Sequence, residues 1–134
     1  AIDRILATRL ADRATCQSAG IFPRRRTICL DFDGVVHSYR SGWEGVDRIS
    51  DPPIHGTDKA IARLRQEYEV VIHSARCATA AGREAIARWL AKYQIEVDAI
   101  CEHKPPAMVY IDDRAIRFQG DWAETINALN QFRK

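Results

Sequence analysis

The sequence predicts an α/β fold in which a parallel sheet carries helices on its faces. Three observations predict it. Short apolar runs of strand length alternate with segments of helical periodicity. Two of these runs end abruptly in acids, at Asp31 and Asp33 and again at Asp112 and Asp113. The length of 134 residues and a hydrophobic fraction of 46% suit one domain whose core needs no disulfides.

The elements follow in order. Residues 3–17 read as an amphipathic helix. Ile5, Leu6 and Leu10 share a face, Ile2 stands just before it, and Gly20 can end it. Residues 1–22 are thus expected to be a leading helix and linker, with the main domain over 23–134. Pro23 and the basic run Arg24, Arg25 and Arg26 lead into a first buried strand at 27–31. Residues 34–56 are rich in Gly, Pro, Ser and charge and read as a long loop, which in a compact domain is usually functional. Thr57 is the candidate N-cap of a helix that runs on Ile61 and Leu64 to about residue 67. "YEVVIHSAR" supplies a second buried strand through Val70, Val71 and Ile72. Residues 80–92 form another helix, with Ala85, Ile86, Trp89 and Leu90 toward the core and Glu84 and Arg88 spaced as an i,i+4 pair. "IEVDAIC" reads as a shorter third strand and "AMVYIDD" as a fourth. Asp121 and Glu124 open a last helix in a D-x-x-E pattern, and it carries Ile126 and Leu129.

Bulk properties narrow the function. The formal net charge of +2 is too near neutral to imply nucleic-acid binding by itself. No apolar run approaches the roughly 20 residues of a membrane span, and no secretory signal is visible. Cys16, Cys29, Cys77 and Cys101 include no CxxC pair, which fits reduced thiols in a cytoplasmic protein. Cys101 and His103 lack a second pair to complete a zinc site and read as structural. The chain starts at Ala1 and its only methionine is Met108, so a processed start or a longer parent chain is expected.

Parallel sheets bind ligands at the carboxyl ends of their strands. Asp31 and Asp33 end the first strand, Ser74 the second, and Asp112 and Asp113 the fourth, with Lys104 in the loop before it. Four acids near one point repel unless a divalent cation neutralises them. Mg2+ takes hard oxygen ligands and commonly shares them with a substrate phosphate. A lysine and a hydroxyl at the same rim suit phosphoryl oxygens. The set therefore points to phosphoryl transfer rather than redox or acyl chemistry, and a carboxylate can itself be the nucleophile.

"LDFDGVV" resembles motif I of the haloacid dehalogenase (HAD) superfamily, D-x-D-G after a hydrophobic strand. "VVIHSAR" resembles motif II, "KPP" motif III, and "VYIDD" the D-D form of motif IV. The resemblance runs from about residue 26 to 130, and its specificity lies in all four motifs falling in order at strand ends. It implies a three-layer α/β/α, Rossmann-like domain with strand order 3-2-1-4. By resemblance, Asp31 is the nucleophile and Asp33 the acid and base, while Ser74 and Lys104 bind phosphoryl oxygens. Mg2+ is held by Asp31, the main-chain carbonyl of Asp33, Asp112 and Asp113. Asp33 favours phosphatase chemistry, because family dehalogenases lack this second aspartate. Roughly 40 residues separate Asp33 from Ser74 and Ser74 from Asp112. Neither interval has room for a large cap domain, so the chain resembles the capless members, among them small hydrolases of bacteria and their phages.

The function expected is Mg2+-dependent hydrolysis of a phosphomonoester through an aspartyl-phosphate. The substrate class stays open: a nucleotide, a nucleic-acid end, another small phosphate ester or a phosphoprotein. The alternatives are a phosphotransferase and a phosphate-binding regulatory module without turnover. Trp43, with His37 and Tyr39, lies in the loop after the nucleophile and is a candidate substrate contact; the other reading is an aromatic packed on the domain. Arg76 is a candidate for a second anionic group, or else a surface arginine before a helix. Arg114 is placed to neutralise the acid pair, and His73 reads as a satisfied core histidine. Arg24, Arg25 and Arg26 read as solvated, with a phosphate backbone as the alternative partner.

Overall fold

The computed structural model describes residues 25–133. The helix expected at 3–17, Cys16 and Arg24 lie outside the described residues. Four strands, β1 (Thr27–Leu30), β2 (Glu69–His73), β3 (Ala99–Cys101) and β4 (Val109–Ile111), form one parallel sheet in the order β3-β2-β1-β4. Among the described residues three α-helices accompany them: α1 (Thr57–Leu64), α2 (Ala80–Lys92) and α3 (Trp122–Gln131). The chain is thus a mixed α/β protein, with strands and helices alternating from β1 to β3.

The core explains the arrangement. Ile28 and Leu30 of β1, Val70 and Ile72 of β2 and Ile100 of β3 join Ile61 of α1 and Ile86 and Leu90 of α2 in one buried cluster. These strand residues alternate along each strand and so share a face. Both helices therefore cover the same face, as two successive right-handed crossovers in one direction require. The other face carries a smaller cluster of Cys29, Val71, Ala99 and Cys101, with Ala107 against it.

Several boundaries differ from expectation for local reasons. Thr57 is the first residue of α1 rather than its cap. Gly56 precedes it in the left-handed region, and the Thr57 hydroxyl donates to the Ile54 carbonyl (2.6 Å). α1 ends at Leu64, where the chain tightens through a hydrogen bond from Tyr68 N to Leu64 O (2.8 Å). β3 is shorter than "IEVDAIC" suggested. Asp98 brackets Val70 instead, accepting from its N–H through Oδ2 (2.7 Å) and donating its own N–H to the Val70 carbonyl (2.8 Å). The Arg65 guanidinium holds the other Asp98 oxygen (2.9 Å). Glu84 and Arg88 form no ion pair among the described residues, whereas Arg63 and Glu67 do (3.2 Å).

The C-terminal part departs furthest. Asp121 caps α3 as expected, accepting from Ala123 N and Glu124 N. Ile126 and Leu129, however, are 56% and 62% exposed, and β4 is exposed along its length. No described residue buries the apolar stripe of α3. No helix among the described residues is long and apolar enough to cross a membrane.

Candidate functional site

β1 and β4 are parallel neighbours, with Leu30 opposite Ile111. The residues that follow them, Asp31 and Asp112, leave the sheet side by side, and Asp31 N donates to the Ile111 carbonyl (2.9 Å). One carboxylate oxygen from each of Asp31, Asp112 and Asp113 lies within 4.8 Å of the others. Gly34 makes this packing possible. Its φ of 85° suits glycine, and a Cβ there would strike the Asp113 carboxylate. Burial, above all, pushes Asp31 up to about 6. The Phe32 N–H opposes this, and the charges of Asp112, Asp113 and Asp33 add to it. Arg114 supplies its backbone N–H to Asp112 Oδ1 (2.8 Å). Three convergent carboxylate oxygens, one of them seated against Gly34, have the hard-donor character that could hold a divalent cation.

Asp33 stands apart. Its carboxylate does not join the acidic group. Each oxygen meets one buried side chain, while the Asp33 side chain itself stays 17% exposed. Oδ2 accepts from Arg76 Nε (2.9 Å), and Oδ1 meets His37 Nδ1 (2.9 Å). The far nitrogen of His37, Nε2, faces the backbone N–H of Asp51 (3.2 Å). A backbone N–H can only donate, so Nε2 accepts and the ring proton sits on Nδ1, directed at Asp33.

These contacts revise two expectations. Arg76 is neither a surface arginine nor an open anion site. It is 0% exposed, and its Nη1 donates to the carbonyls of Gly45 (2.7 Å), Val46 (3.0 Å) and Arg48 (3.1 Å). Its Nη2 has no hydrogen-bond partner among the described residues. His37 is 1% exposed and cannot touch a substrate from there. It lies on Phe32 (ring centroids 5.6 Å) and against the edge of Trp89 (5.7 Å). Trp43 remains accessible. It is 55% exposed, with its ring over the Arg76 guanidinium at 4.6 Å. Tyr39 packs edge-on to His37 (5.9 Å).

The long 34–56 segment is therefore well fastened rather than slack. Asp51 accepts from the Ser41 N–H and hydroxyl, both at 2.7 Å, and these bonds hold it below the usual carboxylate range. The Asp51 carbonyl accepts from Trp89 Nε1 (2.9 Å). No local pattern in the sequence marks Asp51 as a partner of the site, because it reaches His37 from 14 residues away. His37 lies only four residues after Asp33, and its place in the loop suggests a substrate contact rather than a bond to Asp33.

Ser74 directly follows β2. It is buried and opens a short 3-10 turn, Ala75–Ala78, with its Oγ accepting from Arg76 N (3.2 Å). Lys104 follows β3 on the same edge of the sheet and is exposed, with Nζ 4.3 Å above the Tyr110 ring. His73 is half-buried and bonded to the Cys101 carbonyl (3.0 Å), as a satisfied histidine should be. Cys29, Cys77 and Cys101 are buried and form no disulfide among the described residues, and burial pushes the Cys29 and Cys77 thiols up to about 11 and about 12. These two thiols do not supply a nucleophile near neutral pH. Comparison with protein-family models, with curated proteins and with solved structures finds no match.

Proposed function

We propose that the chain is a capless phosphatase of the haloacid dehalogenase type, with a three-layer α/β/α catalytic domain over 23–134, acting in the cytoplasm. It hydrolyses a phosphomonoester through an aspartyl-phosphate. The observation that carries this reading is the division of the acids. Asp31, Asp112 and Asp113 converge on one point, while Asp33 is held away from them by Arg76 and His37. Aspartyl-phosphate chemistry needs one carboxylate as nucleophile and another, kept apart from the metal ligands, to move a proton.

Asp31 would attack phosphorus as the bond to the ester oxygen breaks. The electron pair leaves on that oxygen, which takes a proton from Asp33. Asp33, now a carboxylate, would then take a proton from water. The water oxygen bonds to phosphorus, the bond to Asp31 breaks, and phosphate is released with both carboxyl groups restored. Ser74 and Lys104 would bind the phosphoryl oxygens. Asp31, Asp112, Asp113 and the Asp33 carbonyl would hold Mg2+, which supplies neutralisation of the phosphoryl charge. The exposed Trp43, beside Arg76, supports a leaving group with a flat ring, and so a nucleotide or a nucleic-acid end as substrate.

The test is direct. The protein should hydrolyse p-nitrophenyl phosphate in Mg2+. Asp31→Asn should reduce turnover at least about 10³-fold with unchanged circular dichroism. A chelator should stop the reaction, and added Mg2+ should restore it. No turnover across a panel of phosphate esters, nucleotides and nucleic-acid ends would overturn the proposal.

A further inference from the structure

We infer that His37 and Arg76 are positioning residues that aim Asp33 at the leaving oxygen, so that turnover of esters with poor leaving groups depends on them. The inference rests on the phosphohydrolase reading. Neither residue is open to substrate, since His37 is 1% and Arg76 0% exposed. Of the candidate site carboxylates, both bond only Asp33, so their effect on the proton transfer runs through it.

The geometry carries the argument. A short carboxylate side chain on a turn can swing between rotamers. Here it is caught by two donors, one on each oxygen, both at 2.9 Å. Each donor is itself locked. The Asp51 N–H fixes the His37 tautomer, and the Phe32 and Trp89 rings fix its plane. Three loop carbonyls and the Trp43 ring fix the Arg76 guanidinium. Burying a guanidinium costs stability, and more so with Nη2 left without a partner. Fastening the loop alone does not require this arrangement, because its carbonyls could be met by neutral donors. What the arginine adds is a charged, planar grip on Asp33.

Esters separate positioning from general support. p-Nitrophenolate leaves without a proton, whereas an alkoxide must be protonated as it departs. Release of the leaving group in the first turnover reports this step before water attacks the intermediate. His37→Asn places an amide nitrogen near the Nδ1 position and keeps a donor for Asp33. His37→Gln reaches instead toward the Asp51 N–H and leaves Asp33 Oδ1 without its donor. The Gln variant should slow alkanol release from an alkyl phosphate by about 10- to 100-fold, with p-nitrophenol release within about threefold of wild type. The Asn variant should keep both within about threefold. Arg76→Lys retains a cation but loses the Nε–H, and should show the same split as Gln in an independent background. Equal slowing of both esters in the Gln and Lys variants would reduce the pair to scaffolding and overturn the inference. So would no slowing of either ester. If the wild-type protein releases neither leaving group, the phosphohydrolase reading falls first and takes this inference with it.

Discussion

At the scale of single residues, two side-chain environments make measurable demands. Asp31 sits at about 6 in the folded protein, above its ordinary value of 3.8. The fold therefore binds this proton more tightly than the unfolded chain does. Its contribution to stability is fully present below pH 3.8 and is lost as pH rises through about 6. Without metal, the melting temperature should fall by a few degrees across that window relative to Asp31→Asn, which lacks the titrating group. Thermal melts of the two proteins from pH 3.5 to 7.5 check this, and parallel curves would contradict it. Gly34 makes the second demand. Gly34→Ala places a side chain at φ 85° and drives it into the Asp113 carboxylate. It should cost about 1–3 kcal/mol and weaken Mg2+ binding by at least tenfold, read by denaturation and by metal titration.

At the scale of elements, α2 is seated by a close approach that only glycine allows. Gly82, in its first turn, lies so near the Arg76 carbonyl that a Cβ would collide with it, and Val46 stands 3.1 Å from the same point. The Gly82 N–H meanwhile donates to its cap, Thr79 Oγ1, at 3.1 Å. Gly82→Ala should therefore push α2 away from the Ala75–Ala78 turn. The expected loss is about 1–3 kcal/mol, together with activity, because that turn carries Arg76. Chemical denaturation and steady-state kinetics would test it, and unchanged stability would show that the turn yields freely. Most of this was not legible in the sequence. The periodicity of 80–92 marked Ala85, Ile86, Trp89 and Leu90 as core, and all four are buried. Ile126 and Leu129 of the last helix are covered by no described residue, because an apolar stripe specifies a face and not the partner that covers it.

At the scale of the whole molecule, strand order decides the site. Placing β4 next to β1 brings Asp112 and Asp113 to Asp31 from about 80 residues away in the chain. Three like charges held together weaken the fold unless a cation offsets them. Mg2+ at tenfold above its dissociation constant should stabilise the protein by about 1.4 kcal/mol, a rise of several degrees in melting temperature. The rise should be larger above pH 6, where Asp31 is charged. Asp112→Asn should blunt it, and no Mg2+-dependent shift in the wild-type protein would remove the metal from the site.

The sequence by itself determined the class of the fold, the strands and the edge at which the acids gather. Those features are local: apolar runs fix strands, and the residues just after them must lie at strand ends. It also placed Asp31, Ser74, Lys104, Asp112 and Asp113 on one edge of the sheet. Only the tertiary structure decided what Asp33 is bonded to. Arg76 lies 43 residues from Asp33, and no periodicity encodes that hydrogen bond; His37 is only four residues away, but its ring is aimed at Asp33 by Asp51, Phe32 and Trp89. The same reason turned Arg76 from a candidate anion site into a buried clamp, since burial depends on which segments close over a side chain.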